Sequence, residues 1–510
     1  MTVSVAPGRK ARSTAAGAGC GGLEEAWLLV QAPATKQHHA RPAVWSVTVG
    51  VGLRGRFYSL VLLVLVLLLV LTASVTTVDD NGEGGAKPQA ATTTVPRSHG
   101  TGDGAGGVHH HAAGECDMSS GRWVYDGAAY PVYRESACRF MSDQTACEKF
   151  GRTDRRYQRW RWQPHGCDLP RFDAARLLLK LRDKRLAFVG DSLNRNQWVS
   201  MVCLIDTATP TLHKSMANNG SLVSFKIHEY NASVDFYWSP LLVESNSDHP
   251  VHHRVADRIV RAGSIAKHAR RWADADVLVF NSYLWWRRPA IKSCKRSRGH
   301  GDEDEACSAP WIHACACVLD LALTASACRW GSFEQAAAAE GAAYEVADGL
   351  RAFELAIRTW SEWLELHLDR ARTQLFFTSM SPTHLRSDEW EAGDDGASTN
   401  HQCYNETEPI LAEGHRGRDT DPAFARAVEA EVARLAERGV AVRVLNVTQL
   451  SEHRKDAHPS VHRRQWSPPT AAELAARARD PSSGADCIHW CLPGVPDVWN
   501  QMLYAHIVAA

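Results

Sequence analysis

The sequence predicts an α/β protein: a sheet flanked by helices, preceded by one transmembrane helix and a cysteine-rich segment. Three observations predict it. From residue 186 onward, short apolar runs alternate with stretches of helical periodicity, the pattern of strands with helices packed on them. The apolar run 186–189 passes through Gly190-Asp191-Ser192 into a helical stretch, 194–202, with Trp198 and Val202 on one face. Residues 57–78 are about 22 mostly apolar positions, enough to cross a bilayer.

In chain order, residues 1–56 are rich in Ala, Gly and basic residues without convincing periodicity, and read as a cytosolic tail. Arg54 and Arg56 precede the apolar stretch, and Asp79 and Asp80 follow it. That asymmetry keeps the amino end in the cytosol and sends the bulk of the chain to the lumen, as a single-pass type II anchor. A cleaved signal peptide is the alternative, disfavoured by the long apolar core and its late start. Residues 79–115 have little to bury and read as a flexible stem. His109, His110 and His111 within it have nothing nearby to complete a metal site.

Residues 116–176 carry Cys116, Cys138, Cys147 and Cys167 with Trp123, Trp160 and Trp162 among few periodic runs. Such a loop-rich stretch calls for disulfides. Residues 177–510 hold the α/β domain. Its expected strands are 186–189, 277–280, 375–378 and 440–445, with a hairpin from 221–227 and 234–238 and amphipathic helices at 350–368 and 424–438.

Of the 14 cysteines, Cys20 lies before the anchor and the rest beyond it, which suits an oxidising compartment. Cys315 and Cys317 are too close for a zinc knuckle and no CxxC pair recurs, so no metal is expected. A formal net charge of +0 gives no field favouring nucleic acid. The 18 Trp are many for this length; some read as core and some as sugar-stacking surfaces.

The candidate chemistry lies at the two ends of the α/β domain. A strand–glycine turn–helix presents Ser192 at the carboxyl edge of a sheet, beside the N–H groups that open the helix. Serine is also a common helix N-cap, and on these residues alone that plainer use is equally good. Near the carboxyl terminus, Asp486 and His489 are three apart, so the carboxylate can orient the imidazole toward a hydroxyl. The pair by itself is weak; together with the GDS turn it is specific.

That combination resembles the SGNH/GDSL hydrolase superfamily. The strings GDSLNRNQW, EYNASVDFYWSPLLVESNSD, VFNSYLWW, SMSPTH, CYNETEPI, RKDAHPSVH and DCIHWCLPGVPDVWNQMLYA, in that order, resemble the plant trichome-birefringence-like (PC-esterase) family, and most of all its xylan O-acetyltransferase branch. The likeness runs from about Cys116 to the carboxyl terminus. It lapses over 293–329, an atypical insert with a charge run and Cys294, Cys307, Cys315, Cys317 and Cys328. The insert reads either as a lineage-specific loop or as translated intron.

The resemblance implies an SGNH-like α/β/α catalytic domain with Ser192, His489 and Asp486 as the triad. It implies an oxyanion hole from the Ser192 and Gly220 N–H groups and the Asn281 amide. Gly220 otherwise reads as a turn glycine and Asn281 as a strand-end cap. It further implies a cysteine-rich segment bonded to itself and to the catalytic domain, paired Cys116–Cys167, Cys138–Cys203, Cys147–Cys487 and Cys403–Cys491. The activity implied is acetyl transfer to xylan in the Golgi, from a donor not legible here and without a bound cofactor. Transfer to mannan or pectin, polysaccharide acetylester hydrolysis, and non-catalytic glycan binding are the alternatives.

Arg195, three residues after Ser192, is a candidate substrate contact or a core ion pair. Arg454, Asp456 and His458 are expected on a loop near the site, in a role the sequence leaves open. The sequons at Asn231, Asn405 and Asn446 are candidate glycan sites in a lumenal domain. Asn219, next to the expected oxyanion glycine, is expected to be unmodified. Oligomeric state is not legible.

Overall fold

The computed structural model describes residues 116–294, 344–390, 401–465 and 468–509. The expected tail, anchor and stem, and most of the insert, lie outside the described residues. Among the described residues no helix is long and apolar enough to cross a membrane.

The chain opens with β1 (Gly121–Tyr125) and β2 (Trp160–Pro164), an antiparallel pair closed across a long loop. Helix α1 (Ala174–Lys180) follows, capped by the Asp173 carboxylate on the Arg176 N–H. Then come β3 (Arg185–Gly190), α2 (Ser192–Ala208), β4 (Lys214–Asn219), β5 (Leu222–Ile227) and β6 (Ala232–Trp238). The short β7 (Glu244–Ser245) and β8 (Ile259–Arg261) precede β9 (Val277–Phe280), β10 (Ile291–Cys294) and β11 (Tyr344–Ala347). Helix α3 (Gly349–His367), β12 (Gln374–Thr378), α4 (Pro422–Glu437), β13 (Val442–Leu445) and α5 (Val495–Ala509) complete the frame.

The main sheet has the order β13-β12-β9-β3-β6-β5-β4. Its strands from β13 to β6 are parallel, and β5 and β4 add on antiparallel. The central strands read as unbroken apolar runs because both faces are covered: 186–190 of β3 and all of β9 are buried. The pleat then sorts their side chains. Leu186 and Phe188 join the core under α2 and α5, while Ala187 and Val189 join the core under α3 and α4.

Each expected strand and helix of the α/β domain is present, with ends moved by up to two residues, except that the helix expected over 194–202 runs on to Ala208. The hairpin is β5–β6. Strand β4 was not expected, because Lys214–Asn219 is polar and mostly exposed at the sheet edge. Helix α5 was not expected either; its apolar residues run all round because it is buried between α2 and the sheet. A smaller sheet of order β11-β10-β8-β7 flanks the domain. Ser293 and Cys294, placed in the insert by the sequence, pair with Glu345 and Tyr344 instead, so the chain leaves and re-enters on adjacent strands.

Most of the tryptophans among the described residues are core. Trp238, Trp272, Trp286, Trp360, Trp490 and Trp499 are all fully buried, which removes them as sugar platforms. The cysteine-rich segment packs onto the α/β domain: the Trp123 indole donates to the Leu450 carbonyl, and the Arg454 guanidinium lies over the Trp123 ring.

Candidate active site

Ser192 is the first residue of α2, at the carboxyl edge of β3. The turn before it is tight. A Cβ at Gly190 would lie 2.5 Å from the Asn281 carbonyl oxygen, so only glycine fits between β3 and β9 there. Asp191, not Ser192, is the N-cap. Its Oδ1 accepts from the Leu193 N–H at 2.8 Å and the Asn194 N–H at 3.4 Å. The cap role is thus filled by its neighbour, and the Ser192 hydroxyl is free for other work. Burial pushes the Asp191 carboxyl up to about 6, against those two N–H bonds.

The hydroxyl lies 2.8 Å from His489 Nε2. On the far side of the ring, His489 Nδ1 is 2.9 Å from Asp486 Oδ2 and 3.1 Å from Oδ1. Burial would raise Asp486; the His489 ring beside it, with Arg463 further off, outweighs burial and holds the carboxyl well below the usual range. An ionised Asp486 only accepts, so Nδ1 carries the proton and Nε2 presents its lone pair to Ser192. Residues 294 and 297 positions apart thereby form one hydrogen-bonded line from carboxylate to hydroxyl, joined also by the Trp490 N–H donating to Asn196 Oδ1 of α2 at 2.7 Å.

The loop carrying Asp486 and His489 has no helix or strand of its own. Asp486 Oδ1 accepts from the Ile488 and His489 N–H groups, which turns the backbone back on itself. Everything else that fixes it comes from afar. Asp486 and Ser460 exchange backbone bonds at 2.9 and 3.0 Å. The His384 N–H donates to the Cys487 carbonyl. His458 stacks on Trp490 at 4.1 Å between centroids, and its Nδ1 is 2.6 Å from the His489 carbonyl. His384 Nδ1 lies 2.7 Å from His458 Nε2. Burial pushes His384 down to about 4 and holds His458 well below its ordinary value. Arg454 is buried against Asp456 and the Tyr157 carbonyl. The segment 454–460 therefore shapes the loop from below.

Two disulfides bracket His489, and their pairing corrects the expectation. The bonds are Cys147–Cys491 and Cys403–Cys487, not Cys147–Cys487 and Cys403–Cys491. The reason lies in the backbone. The Leu492 N–H donates to the Thr145 carbonyl, which sets 145–147 beside 491–492. The Cys403 N–H meets Cys487 Sγ at 3.1 Å. Cys116–Cys167 and Cys138–Cys203 are paired as expected.

The expected oxyanion donors are dispersed. The Ser192 N–H opens α2 and makes no hydrogen bond within the described chain. The Asn281 amide donates to the Thr378 and Ser379 carbonyls at 3.1 and 3.3 Å, tying β9 to β12, and its Oδ1 is buried without a partner. Gly220 sits at the exposed tip of the β4–β5 hairpin, where a φ of 63° requires glycine. The hairpin tip is on the same edge of the sheet as Ser192, but β6 stands between them. Asn219 is exposed beside it, away from the triad; Asn231, Asn405 and Asn446 are exposed too. Arg195 is half-buried on the first turn of α2.

One residue at the site was missed by sequence reasoning. Gln144, from the cysteine-rich segment and almost fully buried, places its side-chain nitrogen 3.1 Å from His489 Nε2. Nothing in the local sequence signals it, beyond its place three residues before a cysteine that bonds to the catalytic loop.

Residues 169–310 and 324–506 match the PC-Esterase family, described as a GDSL/SGNH-like acyl-esterase family found in Pmr5 and Cas1p. The chain belongs to this family. Residues 114–168 match the PMR5 N-terminal domain, so Gln144 and Cys147 of a PC-esterase protein come from one domain and its triad from the other. The chain is 59% identical to xylan O-acetyltransferase 14 of Oryza sativa subsp. japonica over the whole of both proteins. It is 48% identical to protein trichome birefringence-like 34 of Arabidopsis thaliana, across 81% of this chain and 88% of that protein. Xylan O-acetyltransferase 12 of rice is 45% identical across 84% and 76%.

Proposed function

We propose that this PC-esterase protein is an O-acetyltransferase that esterifies O-2 or O-3 hydroxyls of xylan xylosyl residues through an acetyl-Ser192 intermediate. The carrying observation is the unbroken line Asp486–His489–Ser192, with contacts of 2.9 and 2.8 Å. The names of relatives alignable over all or most of the chain favour xylan as acceptor.

The chemistry follows from the proton positions. His489 Nε2 takes the Ser192 proton as Oγ attacks the acetyl carbonyl of the donor. The developing oxyanion is received by the Ser192 N–H at the positive end of α2. The donor leaves with the proton from Nε2. A sugar hydroxyl then gives its proton to Nε2 and attacks the acetyl carbon; the Ser192 Oγ–carbon bond breaks and Oγ takes the proton back. In this reading Asn281 joins the oxyanion hole by turning from the Thr378 and Ser379 carbonyls, and Arg195 faces donor or acceptor. The apolar stretch 57–78 anchors the protein in the Golgi membrane with the catalytic domain in the lumen, where Asn231, Asn405 and Asn446 are open to glycosylation.

The test is acetyl transfer from an activated acetyl ester to xylo-oligosaccharides, followed by mass spectrometry, with Ser192→Ala alongside. Acetylated oligomers from the unaltered protein and a loss on the order of 10⁶-fold in kcat for Ser192→Ala are expected. Equal product from both proteins overturns the serine mechanism. Free acetate without sugar ester assigns the site to hydrolysis.

A further inference from the structure

The triad explains how an acetyl-enzyme forms but not why a sugar, rather than water, should discharge it. Both nucleophiles must bring an O–H within hydrogen-bond reach of His489 Nε2 while facing the acetyl carbon on Ser192. The second approach to that nitrogen is taken. Besides Ser192 Oγ at 2.8 Å, the carboxamide nitrogen of Gln144 lies 3.1 Å from Nε2.

The contact is firmly built. The Leu492 N–H bonds the Thr145 carbonyl, and Cys147 is bonded to Cys491, two residues beyond His489. The Gln144 N–H is itself 3.4 Å from Ser142 Oγ. Gln144 is 7% exposed, so its carboxamide is a fixture of the site rather than a surface group. Since Nδ1 donates to Asp486, Nε2 in the neutral ring has one in-plane lone pair, shared between Ser192 and Gln144.

We infer that Gln144 is a specificity-determining residue that selects a sugar hydroxyl over water as the acceptor; this rests on the acetyl-serine reading above. In the resting site its amide holds the position an incoming hydroxyl must use. Water, with no other contact, gains little by displacing it. A sugar bound through its remaining hydroxyls displaces the amide with energy drawn from those contacts, and the turned carboxamide then meets the acceptor. The bonds made and broken are those of ordinary deacylation: acceptor oxygen to acetyl carbon forms, Oγ to acetyl carbon breaks, and the acceptor proton passes through Nε2 to Oγ. Gln144 exchanges no proton.

The experiment measures two products at once from the full-length protein, supplied with an activated acetyl ester and xylo-oligosaccharides: free acetate and acetylated sugar. Gln144→Ala is expected to raise the ratio of acetate to sugar ester about tenfold, the size of one neutral hydrogen bond made in one transition state and not the other. Gln144→Glu, of the same shape, places an anion beside Nε2. It is expected to move the acid limb of the pH–rate profile up by about one unit, because a neighbouring carboxylate favours the imidazolium. An unchanged ratio in Gln144→Ala, or, where that variant does not fold, an unmoved acid limb in a well-folded Gln144→Glu, overturns the inference. Failure of the serine reading is told apart by Ser192→Ala: it then retains both products, whatever Gln144 does.

Discussion

The two halves of the triad are held in opposite ways. Ser192 is fixed by its own neighbourhood: a buried strand, a glycine turn that excludes any Cβ, and a helix capped by the adjacent Asp191. His489 stands on a loop without regular structure, fixed by groups from 384, 403, 458, 460 and the cysteine-rich segment. The nucleophile side is one continuous strand–turn–helix unit, seated against β9 at the Asn281 carbonyl. The base side exists only when four distant pieces of chain are assembled, and one of them is the PMR5 N-terminal domain, through Cys147 and Gln144.

The largest test of that contrast replaces one carboxylate on each side. Asp486→Asn leaves the loop's shape but turns the imidazole to the wrong tautomer, and kcat for acetyl transfer is expected to fall about 10⁴-fold. Asp191→Asn keeps an oxygen for the Leu193 N–H and is expected to change kcat far less. Comparable losses in steady-state kinetics of the two variants would break the distinction.

Next in size are the disulfides. Converting Cys147 and Cys491 to Ser, or Cys138 and Cys203 to Ser, is expected to cost about 2–5 kcal/mol in denaturant unfolding in each case. Only the first pair grips the His489 loop; the second ties the cysteine-rich segment to the middle of α2. At a temperature where both variants are folded, the first is expected to lose activity and the second to keep most of it. If loss of Cys138–Cys203 harms turnover equally, the nucleophile side is less self-sufficient than its geometry implies.

The smallest effects are those of pH, and the two sides contribute with opposite sign. Burial raises Asp191 from 3.8 to about 6, so its contribution to stability is full below pH 3.8 and is lost as pH rises toward 6. Burial lowers His384 from 6.5 to about 4, so its contribution is full above pH 6.5 and is lost as pH falls toward 4. Thermal melts between pH 4 and 7 are expected to show Asp191→Asn gaining relative to the unaltered protein at the upper end. His384→Asn is expected to lose least, relative to it, at the lower end. Parallel curves for both variants would refute these assignments.

Much of this was legible in the sequence. The apolar runs of β3, β9 and β12 and the periodicity of α3 and α4 identify strands and helices without help, because both faces of the sheet are covered there and the helices are amphipathic. Ser192, Asp486 and His489 stand in short motifs whose spacing carries chemical meaning. The exposed edge strand β4 and the buried helix α5 escaped because one lacks an apolar face and the other holds its polar residues, Asp497, Asn500 and Gln501, against the chain as well as its apolar ones.

The sequence by itself determined the fold class, the position of a serine at a strand–helix turn and the pairing of Asp with His, since each depends on contacts within a few residues. Only the tertiary structure decided which cysteine clasps which side of His489, that the Asn281 amide bonds to β12, that Gly220 stands beyond β6, and that Gln144 reaches His489 Nε2. Those facts rest on contacts between residues tens to hundreds of positions apart. Local pattern says nothing of such contacts, because many closures of the same chain share the same periodicities, and the packing of the whole molecule selects among them.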